Sequence, residues 1–395
     1  MIRVLGYVDP KYSQIADAFA DNFNHHGEVG ASLTVYHHHQ LVVNVWAGYK
    51  DLKKKMKWDH NTVVPIFSTT KAISACCMAI CHSKGLFDYE DKVVKYWPDF
   101  AANGKENITI AQLLQHRAGL SAIYRKITVE IIQDRALLES IIAKQKPRWT
   151  PGEYQGYHPW NIGWFISALL SKIDPEGRRL KEFLEEEVLP YIDGDVRIGV
   201  NDDYQWENVA KVIPFSRMKI FSMPFVFVKE FFKPWSLTFR SLLNPAFVVN
   251  HINFNKKEIL KLEIGGGGGL GNSKGLASLF DGLTNPNHPL YLKPNTLDYL
   301  YDYPAPPTYG YRDLILKLDA FRFHGGFMKP SKKHNFSLSK KSFGGFGAGG
   351  SFVISDPENY LTFAYTMNKM GHELMNMKRE SNIRNEVYRT IVQVE

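Results

Sequence analysis

Cysteine is nearly absent from this 395-residue chain. Only Cys76, Cys77 and Cys81 occur, all within one short apolar stretch. An odd, clustered set does not make the disulfide framework that staples small secreted domains, and it fits a reducing compartment. Cys77, Cys81 and the adjoining His82 have a spacing a metal could use, but their apolar surroundings read as a packed helix face. No apolar run reaches the length of a membrane span. The nearest, Phe221 to Phe232, is broken by Pro224, Lys229 and Glu230. Met1 to Pro10 lacks the apolar stretch of a secretory signal, so a cytoplasmic location is expected. Lys and Arg outnumber Asp and Glu by 48 to 40, but the surplus is scattered apart from Lys53-Lys54-Lys55 and Lys57. Without a basic stripe interleaved with aromatics, nucleic acid is not expected as a partner. There is no internal repeat and no low-complexity linker.

What remains is ordinary globular composition, 44% hydrophobic and 22% charged, with ample length for a large core. Ser13 to Phe23 reads as an amphipathic helix. Gly30 to Tyr36 and Leu41 to Trp46 read as a hairpin joined by His37-His38-His39-Gln40, a solvated turn rather than a metal site. Helices are predicted over Ile108 to His116 with Thr109 as N-cap, Ile131 to Lys144, Trp160 to Ile173, Leu180 to Leu189, and from about Met375 to Val392. Gly347 to Glu358 and Leu361 to Asn368 read as strand, Asp-Pro turn and strand. Strands at both chain ends with helices between them predict one sheet built from both termini. The run Gly265 to Gly269 approaches a phosphate-binding loop, but Asn272 stands where the lysine should be, and nucleotide binding is rejected. These glycines instead let backbone come close to its neighbours. Phe215 to Phe247 is rich in Phe and Pro and reads either as a lid or interfacial element or as a buried wrap-around segment.

Chemistry concentrates at Ser68-Thr69-Thr70-Lys71, which opens the apolar run Ala72 to Cys81. The spacing puts a hydroxyl and an amine one helical turn apart on one face. A serine hydroxyl is a weak nucleophile and needs a neighbour to take its proton. A desolvated lysine with a lowered pKa can serve. The helix N-terminus there favours developing negative charge, and Gly85 is a plausible C-terminal stop. By itself, Ser-x-x-Lys recurs by chance in chains of this length.

Further stretches give it context: Val64-Pro65-Ile66-Phe67 before the serine, Leu113-Leu114-Gln115-His116-Arg117-Ala118-Gly119-Leu120, Pro151-Gly152 ahead of Tyr157-His158, and Ala348-Gly349-Gly350-Ser351 ahead of Asp356-Pro357. In this order they resemble the serine β-lactamase and penicillin-binding protein superfamily. More narrowly, the chain looks like its β-lactamase-related, class C-like esterases and their animal relatives. The resemblance covers nearly the whole chain. It implies an α/β (α+β sandwich) architecture of the DD-peptidase/β-lactamase type, an antiparallel sheet flanked by helices. Residues 1–395 then form a single domain, with 1–75 and 262–395 as the sheet region. Residues 76–261 are a mostly helical inserted region containing the Phe-rich segment 215–247.

Carried over residue by residue, the resemblance implies Ser68 as the acylated nucleophile and Lys71 as the group that holds its proton. Tyr157 becomes the partner acid/base, its phenolate stabilised by Lys71. The backbone N–H groups of Ser68 and Ala348 become an oxyanion hole, worth about 3 kcal/mol per donor. His158, Gly345, Phe346 and Gly347 become substrate-binding positions. Two departures stand out. Pro159 occupies the place of an asparagine in the tyrosine motif, and Gly345 replaces the basic residue of the third motif. The second argues against β-lactam and peptide-carboxylate substrates. The implied activity is cleavage of a small ester or amide with an apolar group, with no cofactor and no metal. The alternative is a weakened or inactive member with a structural, self-assembling role, and the resemblance allows a homo-oligomer.

Overall fold

The computed structural model describes residues 1–394 except Ala320, Leu374 and Met375, and of Arg217 only the backbone. The N-terminal region supplies strands β1 (Leu5–Val8), β2 (Gly30–His37), β3 (Gln40–Asp51), β4 (Met56–Lys57) and β5 (Val64–Pro65). The middle supplies β6 (Val196–Ile198) and β7 (Gly269–Gly271). The C-terminal region supplies β8 (Arg322–His324), β9 (Phe327–Lys329), β10 (Phe343–Phe346), β11 (Phe352–Asp356) and β12 (Leu361–Met367). Among the described residues the main sheet runs β1-β3-β2-β12-β11-β10-β9-β8, with β4 beside β3. Its pairings are antiparallel, and β12 lies against β2 with Phe363 opposite Val35 and Tyr365 opposite Leu33. The two chain ends therefore meet at the centre of one sheet, as their strand patterns predict.

Period-two alternation sorts the side chains of these strands between two cores. Leu33, Val35, Phe352, Ile354, Phe363 and Tyr365 face a cluster with Ile15 and Phe19 of the first helix (Ser13–His25) and Ile383, Val387 and Ile391 of the last (Lys378–Val394). Val353 and Ala364 face the larger cluster on the opposite side, with the helices of the middle region. On that side small polar residues let a helix (Ser273–Thr284) lie close. Thr34 Oγ1 meets Ser273 Oγ at 2.8 Å, and Asn272 caps the helix by accepting the Gly275 N–H at 2.8 Å.

The local expectations differ from the structure in several places. The hairpin turn is only two residues, His38 and His39, both at positive φ, the primed turn that matches strand twist. His37 is thus a buried strand residue bonded to the Tyr12 hydroxyl at 2.8 Å, and His39 pairs with Asp281. The helix expected over 131–144 is two, Val129–Gln133 and Arg135–Ala143, because the Asp134 side chain caps the second by accepting from Leu137 N–H. The 160–173 helix begins at Ile162. The last helix begins at Lys378; its expected start, Met375, lies outside the described residues.

The Ser-x-x-Lys helix (Thr70–Ser83) is buried along its whole length, as an all-round apolar pattern requires. Gly85, at φ +78°, closes it by donating to the His82 carbonyl. Its cysteines are free thiols. Burial pushes them up, Cys81 to about 12, so they act as small hydrophobes. The helix is wedged against β10. A Cβ at Gly345 meets Ala72 Cβ at 2.5 Å, and one at Gly347 meets the Ile66 carbonyl oxygen at 2.2 Å.

Gly345→Ala should therefore overpack this contact and cost about 1–3 kcal/mol. That loss should read as a lower urea midpoint at unchanged slope. An unchanged midpoint contradicts the contact.

Candidate active site

Ser68 sits in a 3-10 turn, Phe67–Thr69, that feeds the buried helix. Phe67 is held at φ +46°, a conformation that is costly for a non-glycine residue. Its ring is packed edge-on against His251 at 5.3 Å and Phe254 at 5.1 Å, and its carbonyl accepts from Thr70 Oγ1 at 2.5 Å. The turn thrusts Ser68 out of the core to a half-buried position.

Lys71, one turn on, is buried beneath it. Its Nζ lies 3.2 Å from Ser68 Oγ and donates to the carbonyls of Pro159 at 2.6 Å and Gly266 at 2.5 Å. No carboxylate pairs with it among the described residues, and burial holds its amine well below the ordinary lysine value. The Tyr157 hydroxyl donates to Ser68 Oγ at 2.8 Å, and Lys71 Nζ lies 4.6 Å from its ring centroid. Burial pushes the phenol above its usual value. The Ser68 hydrogen bond opposes this shift, and the Asp313 charge reinforces it. The free site therefore pairs a protonated phenol with a depressed lysine, whereas the sequence likeness implied a phenolate.

Three partners in this arrangement were given no such role by the sequence. Pro159 fills the place where an asparagine amide is usual, and its backbone carbonyl meets Lys71 instead. Gly266 reaches Lys71 because the glycine run passes through a gap no side chain fits. A Cβ at Gly266 meets the Trp160 carbonyl oxygen at 2.3 Å, and one at Gly163 meets Gly266 N at 2.2 Å. Ser74 Oγ, bonded to the Gly265 carbonyl at 2.8 Å, and Thr70 Oγ1, accepting from Gly269 N–H at 2.9 Å, hold the run to the helix. The run itself was a visible signal; that it delivers an acceptor was not. Asp313 gave no signal. Its buried carboxylate accepts the Tyr157 backbone N–H at 2.9 Å from 156 residues away, along with Ile315 and Leu316 N–H.

The other expected site residues divide. Ala348 is exposed in the turn after β10. That turn is stapled to the serine turn: Ser351 Oγ donates to the Ile66 carbonyl at 2.9 Å and meets Thr69 Oγ1 at 3.0 Å. Gly345 and Gly347 face the serine helix and its turn, and their missing side chains allow that approach. Phe346 points the other way, onto His334 and Phe336 at 4.6 and 4.9 Å. His158 is fully buried, its Nδ1 on the Gly156 carbonyl at 2.7 Å, and burial holds it near 3. Its backbone N–H donates to His116 Nδ1 at 3.1 Å, which makes His116 a neutral ring, packed 5.1 Å from Tyr157. Among the described residues no group of His, Cys, Asp and Glu could hold a metal, and no helix is long and apolar enough to cross a membrane.

Comparison with known proteins follows the same outline. The chain is 28% identical over 382 residues to the esterase/beta-lactamase LipL of Mycobacterium tuberculosis, covering 93% of this chain and 83% of that protein. The crystal structure of a family VIII carboxylesterase superposes with TM-score 0.86 at 25% identity, covering 98% of this chain and all of the other. A penicillin-binding protein homologue from Caulobacter crescentus superposes with TM-score 0.83 at 26% identity over 98% of this chain and all of its own. Residues 15–386 match the beta-lactamase family, and the chain belongs to it.

Proposed function

We propose that this protein is a serine hydrolase that cleaves a small neutral ester or amide through an acyl-enzyme on Ser68. The observation that carries the reading is the Lys71 amine, buried 3.2 Å from Ser68 Oγ with no counter-ion among the described residues. As a neutral amine, Lys71 spends its two N–H groups on the Pro159 and Gly266 carbonyls. Its lone pair is then left for the serine proton. Lys71 takes that proton as Ser68 Oγ bonds to the substrate carbonyl carbon and the π electrons move onto oxygen. The Ser68 and Ala348 N–H groups stabilise that oxyanion. When the tetrahedral species collapses, the bond to the leaving group breaks. The leaving oxygen or nitrogen takes the Tyr157 proton, and the phenol recovers one from the Lys71 ammonium. Water then gives a proton to Lys71 as its oxygen bonds to the acyl carbon; the bond from that carbon to Ser68 Oγ breaks, Oγ takes the proton back from the Lys71–Tyr157 pair, and the acid leaves. Esterase function in LipL and in the family VIII carboxylesterase supports the reading.

The third motif narrows the substrate. Gly345-Phe346-Gly347 offers no cation, and the Gly345 contact with Ala72 leaves no space for one. A substrate carboxylate therefore lacks the partner that a lysine there supplies.

Three measurements test this. Ser68→Ala should lower kcat/KM on p-nitrophenyl esters by at least about 10³-fold and abolish a fluorophosphonate adduct in the intact-protein mass. Unchanged turnover by the variant sinks the acyl-enzyme reading, and folded wild-type protein that takes no adduct favours the structural, self-assembling alternative. Because the reactive form of Lys71 is the neutral one, activity should fall on an acid limb as pH drops through its lowered pKa. No basic limb should appear below the ordinary tyrosine value, since Tyr157 is raised and must stay protonated; a rate independent of pH on the acid side argues against Lys71 as base. Nitrocefin, which carries a carboxylate, should turn over far more slowly than a neutral ester of matched reactivity. Comparable rates refute the charge argument.

A further inference from the structure

The Phe-rich segment resolves into two faces with opposite fates. In the helix Phe225–Phe231, Phe227 is buried in the cluster that includes Phe323 and Phe336 and packs against Tyr157 and Phe346. The outward face keeps Met218, Phe221, Phe225, Phe232 and Trp235 exposed, Phe225 at 80% and Trp235 at 73%. Phe221 and Phe232 stack on each other at 6.1 Å, joining the preceding 3-10 turn (Arg217–Ser222) to the helix. Contiguous exposed apolar surface of this kind marks an interaction site. Its charge says which kind. Between Lys211 and Lys256 the sequence holds a single acid, Glu230, and that is neutralised by Lys233 at 2.8 Å. Lys219 and Lys229 are exposed on the same turns.

We propose that this face docks on an anionic phospholipid bilayer, burying its aromatic side chains at the headgroup boundary while the lysines meet lipid phosphate and carboxylate. Short amphipathic elements with Phe and Trp on one side and Lys at the margins bind membranes in this way. A second copy of the chain is a poor occupant, because face-to-face pairing sets Lys219, Lys229 and their counterparts against one another with no acid free to answer them. The segment that meets the lipid shares a core cluster with the Tyr157 ring. The docking itself does not depend on the hydrolytic reading.

The test is co-flotation of the full chain with vesicles of phosphatidylcholine alone and of phosphatidylcholine and phosphatidylserine in equal amounts, at low and high salt. Binding to the anionic vesicles should be at least about tenfold tighter and should weaken with salt. Phe225→Ser with Trp235→Ser, and separately Lys219→Glu with Lys229→Glu, should each reduce it by about tenfold or more; these exposed positions leave the core intact, checked by circular dichroism. Ser68→Ala should float like wild type, which separates this proposal from the fate of the hydrolase reading. No flotation with anionic vesicles overturns the proposal. So does a wild-type dimer in sedimentation that Phe225→Ser with Trp235→Ser turns monomeric, which would assign the face to a second copy.

Discussion

A lysine amine buried with no counter-ion among the described residues is the constraint around which this molecule is arranged. An ammonium in such a place is strongly disfavoured, so Lys71 needs acceptors that do not re-charge it. Two backbone carbonyls provide them, Pro159 from the loop before one helix and Gly266 from a glycine run far along the chain. A carboxylate in either place would raise the lysine pKa and keep the amine protonated, with no lone pair for the serine proton. Carbonyl dipoles orient the nitrogen and leave it depressed.

Bringing those carbonyls in requires backbone to pass where side chains cannot. Gly163, Gly265 and Gly266 interlock within contact distance of one another and of Trp160. Gly345 and Gly347 do the same where β10 meets the serine helix and turn. The glycines that look like a degenerate nucleotide loop, and those that replace a basic motif, therefore serve one purpose, close approach to a fully buried helix. The left-handed Phe67 belongs to the same arrangement. Such a residue costs about 1–3 kcal/mol, and it persists because aromatic packing and the Thr70 bond determine it from both sides.

Around this centre two histidines are buried. His116 and His158 are buried neutral rings that fix the loop carrying Tyr157 through one backbone bond and one carbonyl bond. Asp313 fixes the same loop from the opposite direction. The phenol is thereby placed on Ser68 and held in its protonated form, the complement of the depressed lysine. A protonated phenol and a depressed amine thus meet one hydroxyl, the arrangement on which the proposed hydrolysis rests.

Local chemistry alone determined a good part of this protein. The apolar run after Ser68 could only be a buried helix. The capping box of Thr109 and Gln112, the strand alternation at both chain ends and the Gly85 stop are likewise decided within a few residues. Ser68 and Lys71 were legible for the same reason, being one turn apart on one helix. Tyr157 became legible only through the order of several motifs. Tertiary structure decided the rest. Which acceptors hold Lys71, which carboxylate anchors Tyr157, and which face of the Phe-rich segment is covered all depend on groups many residues apart. No periodicity reports such pairings, because backbone carbonyls are identical in every residue type and become specific only when the fold aims them.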